Sequence, residues 1–357
     1  MMNKVEEMAR ISNVKIQGGI AGDKLFYLSG KGELEYLKLK AGLEKVTLFP
    51  NAVTIRLFND QVLVNTREVI NGADTLVVYD AVDEQIVATV PGIGALFSVN
   101  KNECEVLFSK KEEEREVIIN YNICEKTEAK ILPGKLLTYP VYFHPVLVTS
   151  AAPGSFTDQA IAYNLERKEV QWQFDAKEVG KYFDEFENEW ENGIVYEITG
   201  RKNKVFLLLP KKLICLHAMT GEELWMKELD GGTTNKITYD ESTDQLLVFN
   251  LREFMVIDPV SGLVIRQSQS FYTALQNNRI TTPFCTKPVV VGDLIYITFC
   301  ICLKMFILNK QTFEVVRVIE LDTFKDQVSQ TDPPIVYENK IFQKSMDHIL
   351  HVYENIS

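Results

Sequence analysis

The residues with which this 357-residue chain could do chemistry are four histidines, six cysteines and 49 carboxylates. The histidines are His144, His217, His348 and His351. His348 and His351 lie three apart in a segment that reads as a strand, so they point to opposite faces and do not share a metal. A tetrahedral zinc site built on Cys285, Cys300 and Cys302 lacks a fourth ligand, and Cys300-Ile301-Cys302 reads as a turn. The chain contains no P-loop, no G-x-G-x-x-G, no G-x-S-x-G elbow and no H-E-x-x-H. No catalytic residue, metal ligand or cofactor is therefore assigned from sequence. An acidic cluster assembled from distant loops would escape such a search.

Charge and composition narrow the classes further. With 49 acids against 38 bases the formal net charge is −11. Such a chain repels phosphate backbones and attracts basic surfaces, which argues against nucleic acid and for a protein partner with a basic surface. The start, Met1-Met2-Asn3-Lys4-Val5, has no apolar core of a signal peptide, and residues 294–303 are too few to cross a bilayer. The remaining cysteines, Cys104, Cys124 and Cys215, lack a framework spacing and read as reduced thiols. The expectation is a cytoplasmic protein, away from the membrane and monomeric when free.

The elements that must position any site come from a repeat. An alternating apolar strand, a polar turn and a second strand occur at 76–80 with 86–90, and again at 118–122 with 128–132. Further copies are 161–164 with 170–174, 213–217 with 224–229, 255–258 with 263–267, and 306–309 with 315–319. A weaker copy at 37–40 with 45–49 opens the chain, and a truncated one at 350–354 closes it. The first strand of each copy ends at Lys40, Asp80, Asn122, Asn164, His217, Asp258, Asn309 or Glu354, with gaps of 40, 42, 42, 53, 41, 51 and 45 residues. Two more strands precede each marker. Period-2 alternation with a period near 40–45 predicts an all-β propeller of four-stranded blades, a to d. Eight blades fit the markers, with seven as the alternative, in one domain over 1–357. The last copy stops after strand c, so the N-terminal segment is expected to supply its strand d and leave no free edge.

One copy carries a more specific signal. Ala218-x-Thr220-Gly221-x-x-x-Trp225 resembles the tryptophan-docking repeat of quinoprotein-like propellers, a superfamily that includes quinone-dependent alcohol dehydrogenases and a bacterial outer-membrane assembly lipoprotein. The resemblance implies that Thr220-Gly221 forms the tight c–d turn and that Trp225 packs between blades. Trp172 stands eight residues after Asn164, as Trp225 does after His217. The other copies carry Leu48, Ala88, Lys130, Arg266 and Arg317 there. The dehydrogenases' adjacent cysteine pair and calcium loop are missing, as is the lipoprotein's N-terminal cysteine, so the resemblance concerns fold.

In a propeller the a–b and c–d turns share one face and the b–c and d–a loops the other. The first set is short here, as in Asn59-Asp60 and Gly292-Asp293. The second includes 66–73, 110–115 and 150–158 and two d–a insertions, at 177–192 and 268–283. Long loops on a rigid scaffold are where binding usually resides. Asp175 as N-cap, Glu178 three residues on and Asn192-Gly193 as a stop predict a helix over the first insertion. Its aromatic stripe would hold Val179, Tyr182, Phe183, Phe186 and Trp190, with Asp184, Glu185, Glu187, Glu189 and Glu191 opposite. The second insertion reads as a loop with Phe271, Tyr272 and Arg279 as interface anchors. The expected partner-binding residues are these acids and anchors, with Tyr182 and Trp190. The expected function is non-catalytic protein binding, with a toxin-neutralising immunity protein as its concrete form. The alternatives are a scaffold subunit, or an enzyme of lyase or hydrolase type at the mouth of the central channel.

Overall fold

The structure is a computed structural model that describes residues 7–67, 74–100, 104–112, 115–133, 141–143, 145–150, 158–184, 188–230, 236–250, 253–268, 270–280, 282, 284–321, 327–329 and 332–354. The chain divides into two compact units, one of residues 6–135 with 335–357, the other of residues 136–334 with 1–5. In both, the repeating element is an antiparallel four-stranded blade, its strands in chain order in every blade but the last. Eight such blades are present among the described residues.

Four blades make up the first unit. Blade 1 runs Val14–Ala21, Lys24–Ser29, Leu34–Lys38 and Glu44–Phe49. Blades 2 and 3 are fused into a seven-stranded sheet, because the 16-residue strand Gln85–Asn100 serves as strand d of one and strand a of the next. Blade 8 holds Ile335–Tyr337, Lys340–Lys344 and Leu350–Glu354, and its strand d is Glu7–Ile11 from the N-terminus. Glu7–Ile11 pairs antiparallel with Leu350–Glu354, from Glu7 opposite Tyr353 to Ile11 opposite Leu350. The expected exchange thus occurs.

Blades 4 to 7 make up the second unit and span residues 141–175, 197–228, 236–268 and 289–320. Blade 5 shows why the sequence folds this way. Its strands b, Lys204–Leu209, and c, Lys212–His217, are apolar at nearly every position and buried on both faces. Its strand d, Glu223–Glu228, is the exposed edge, and only Trp225 is buried there. Inner strands covered on both sides read as continuous apolar runs, whereas an edge strand alternates. Among the described residues no helix is long and apolar enough to cross a membrane.

The repeat markers have a physical explanation. Five of them, Asp80, Asn122, Asn164, Asp258 and Asn309, form Asx-type turns, in which the side-chain oxygen accepts from backbone amides two or three residues on. Asp80 Oδ1 accepts from Val82 and Asp83, Asn164 Oδ1 from Glu166 and Arg167, and Asn309 Oδ1 from Gln311 and Thr312. Four residues after six of the markers the backbone is left-handed, at Glu84, Lys126, Lys168, Gly221, Gly262 and Phe313. Blade 1 places its left-handed residue at Gly42 and ends strand c at Lys38. The expected marker Lys40 is therefore two residues too late. Leu39 continues the apolar alternation past the strand end and is buried, which misleads a reading based on hydrophobicity.

Three further expectations are corrected. Residues 177–192 are not a helix. A short 3-10 turn, Ala176–Val179, leads into the strands Lys181–Asp184 and Glu189–Asn192, which pair as a hairpin. Asp175 does cap, accepting from the Lys177 amide at 2.9 Å, but Gly180 with φ +108° stops the turn, and the aromatic residues then favour strand. The second insertion is not only loop, since Ser270–Asn277 is an α-helix held by buried Phe271 and Leu275 one turn apart. The expected loop 110–115 is mostly strand, with Glu112 opposite Arg115. Loop residues 68–73 and 151–157 lie outside the described residues.

Candidate functional site

Tryptophan docking fixes the blades that carry the site. Trp172, in blade 4 strand d (Glu169–Asp175), donates its Nε1 proton to the Ala218 carbonyl at 2.8 Å. Its ring lies against Gly221, where an added Cβ would come within 2.7 Å of the indole. Trp225 repeats this one blade on, donating to the Pro259 carbonyl at 3.2 Å and covering Gly262. Thr220 is exposed, and its hydroxyl lies 3.2 Å from His217 Nδ1. Arg266 takes the tryptophan's place in blade 6. Its guanidinium donates to the Gln311 carbonyl at 2.7 Å and lies 4.8 Å from the Phe313 ring centroid. The position eight after each marker was visible in sequence; the ability of arginine to fill it with a cation–π contact was not inferred.

The hairpin follows blade 4 and packs beside the b–c turn of blade 5. Lys212 Nζ donates to the Val179 carbonyl at 2.9 Å, tying the 3-10 turn to that blade. At its base, a Cβ on Gly193 would meet the Ala176 carbonyl oxygen at 2.2 Å, so only glycine permits the approach. Cross-strand pairing places Tyr182 opposite Glu191 and Phe183 opposite Trp190. Tyr182 is buried and donates to Glu191 Oε2 at 2.8 Å. Phe183 and Trp190 meet edge to face at 5.7 Å between centroids, and Trp190 is 64% exposed. Burial first, then hydrogen bonding to Tyr196 and Glu191, pushes the Tyr182 phenol far above its ordinary value.

The hairpin and the blade 5 turn enclose a groove of about 160 Å³. Phe183, Trp190, Leu209 and Pro210 line it, with Lys181 and Lys211 beside them. Sequence reasoning missed this groove, because Leu209 to Lys212 reads as an ordinary turn and meets the hairpin only through tertiary packing.

The expected binding residues divide. Trp190, Glu189, Tyr272 and Arg279 are exposed. Tyr182 and Phe271 are buried and belong to the packing of their insertions, with Phe271 at the core beside Phe254 and Phe249. Glu191 is engaged by Tyr182. Asp184 lies on the first hairpin strand, and Glu185 and Glu187 lie outside the described residues, as does Phe186.

The chemistry-bearing residues are placed as follows. His348 sits in the b–c turn of blade 8 with φ +64° and not in a strand, while His351 is fully buried in strand c. His351 Nδ1 lies 2.7 Å from Glu7 Oε1 and Nε2 lies 3.2 Å from Ser345 Oγ. The order serine, histidine, carboxylate resembles a hydrolytic triad, but Ser345 and His351 are fully buried, so no substrate reaches them. Burial pushes the thiols of Cys285 and Cys300 up to about 12, which keeps them protonated. His144 lies outside the described residues. Among the described residues no three His, Cys, Asp or Glu side chains gather as a metal site.

Eight antiparallel blades, two of them docked through Trp172 and Trp225, define a β-propeller fold. The chain is similar to the C-terminal WD40 domain of Sif2, with TM-score 0.66 and 10% identity over 100% of both chains. It is similar to BamB from Moraxella catarrhalis, with TM-score 0.56 and 12% identity over 98% of this chain and 97% of that one. It is also similar to a europium-containing methanol dehydrogenase, with TM-score 0.52 and 11% identity over 98% of this chain and 84% of that one. No family model and no curated protein sequence matches. Neighbours this distant share the fold, and function must be argued from the site.

Proposed function

We propose that this propeller is a non-catalytic, cytoplasmic binding protein, monomeric when free, that engages a protein partner through the end of its blades bearing the d–a insertions. The observation that carries the reading is the hairpin Lys181–Asp184 and Glu189–Asn192, which is fixed at its base yet presents Trp190 largely to solvent. An exposed aromatic on a rigid element costs little entropy to bind with, and tryptophan is among the residues that dominate interface energies. Tyr272 and Arg279 extend the same end of the second unit with two further exposed side chains of interface type.

The concrete form of the proposal is an immunity protein that neutralises a protein toxin. The net charge of −11 supports a partner with a basic surface. The test is affinity capture from the source organism, followed by titration of the purified partner. Excision of residues 181–192 with a short glycine linker should abolish binding and leave the circular dichroism and melting of the propeller in place. Undiminished binding by a folded, hairpin-less protein would remove the hairpin from the interface. A neutraliser should also restore growth to cells expressing the partner.

A further inference from the structure

We propose that the groove between the hairpin and the blade 5 turn is a peptide-docking site for a large apolar side chain followed by a carboxylate. This rests on the reading of the hairpin as partner-binding and names the chemistry it selects. The walls are apolar, from Phe183 and Trp190 on one side and Leu209 and Pro210 on the other. A volume of about 160 Å³ takes a leucine, phenylalanine or tryptophan side chain. Such a side chain would cover the face of Trp190 that solvent now reaches.

The charge at the groove is opposite to that of the chain. Among the described residues, Lys181, Lys211 and Lys212 line it with a single acid, Glu228. Lys212 is occupied, by the Val179 carbonyl at 2.9 Å and by Glu228 at 3.5 Å. Lys181 and Lys211 have no ion-pair partner among the described residues. Two uncommitted ammonium groups beside an apolar slot, in a chain of net charge −11, are a local sign reversal that favours a carboxylate next to the anchor. The described acids of the second hairpin strand do not oppose this. Glu191 is paired with Tyr182, and strand alternation puts Glu189 on the same face as Glu191, opposite to Trp190.

The slot is also held open in advance. Lys212 ties the turn to the blade, and the Gly193 approach pins the hairpin base, so little ordering is lost on binding. The second unit therefore presents a preformed cleft and not a flat patch.

The probe is a random dodecapeptide library displayed on phage, selected on the full-length protein. Enriched peptides should carry a large apolar residue followed within two positions by aspartate or glutamate. Their synthetic versions should bind roughly tenfold or more weakly to Trp190→Ala and to Lys181→Glu/Lys211→Glu. They should also shield Trp190 from acrylamide quenching, which reads this groove because Trp172 and Trp225 are buried. Failure to enrich, enrichment of basic peptides, or binding that survives both variants overturns the proposal. If a captured protein partner loses binding on excision of the hairpin but tolerates both variants, the groove chemistry is wrong while the hairpin remains the interface.

Discussion

The Trp172 indole nitrogen donates to the Ala218 carbonyl, 46 residues later, at 2.8 Å. One side chain thereby joins strand d of blade 4 to the c–d turn of blade 5. Trp172→Ala should cost about 3–5 kcal/mol, because it empties a buried aromatic site. Trp172→Phe keeps most of the apolar area and loses the donor, and should cost at least about 1 kcal/mol. Urea melts of the two variants should rank in that order; equal costs would show that the hydrogen bond contributes nothing.

Gly221 and Gly42 occupy the same place in their turns, with φ +72° and +73°. An added Cβ at Gly42 has nothing within 4 Å, whereas at Gly221 it strikes the Trp172 ring. Gly42→Ala should cost only the left-handed penalty, about 1 kcal/mol. Gly221→Ala should cost clearly more and should blue-shift or quench the Trp172 fluorescence. Equal destabilisation by the two variants contradicts the docking account.

Ala88 marks a dock without its tryptophan. Blade 2 carries Ala88 where Trp172 stands in blade 4, and a shallow pocket lined by Ile86, Thr89, Tyr121 and Lys126 lies there. Lys126 holds the left-handed position that is glycine beneath both tryptophans. Ala88→Trp combined with Lys126→Gly should raise stability by about 1 kcal/mol, and Ala88→Trp alone should gain less. A loss in the double variant would mean that blades 2 and 3, fused through Gln85–Asn100, lack the spacing of blades 4 and 5.

His351 and Glu7 bind the last blade to the N-terminal strand. Burial depresses the imidazole below its ordinary value, and the contact with Glu7 only partly offsets this. An unfolded histidine titrates near about 6.5, so below that pH the unfolded chain takes up a proton that the folded chain refuses. The stability contributed by the buried neutral ring is complete above this value and declines as pH falls from it toward the folded pKa. The melting temperature should drop between about pH 7 and pH 5, and His351→Gln should flatten that drop. An unchanged pH profile in the variant would assign the acid sensitivity elsewhere.

The repeat was legible because its punctuation is chemical. Asp80, Asn122, Asn164, Asp258 and Asn309 are needed as side-chain acceptors for the c–d turns, and a spacing near 42 follows from them. Where the marker is Lys38, no such acceptor exists, and buried Leu39 draws the expected boundary two residues on. The hairpin was misread because Tyr182, Phe183 and Trp190 satisfy a helical spacing as well as a strand pairing; Gly180, left-handed Asn188 and β-propensity decide between them. The groove was not legible at all. Its lysines gain meaning only when Leu209 and Pro210 are brought against Trp190, which is a tertiary event.

The proposed protein partner meets the end of the blades where Trp190 stands. The most direct measurement places a photo-crosslinking amino acid at position 190 and, separately, at Ser261 in a c–d turn at the opposite end of the blades. Irradiation in the source organism should give one discrete crosslinked partner from position 190 and none from position 261. Crosslinks from position 261 alone would put the partner on the short-turn end and contradict the account.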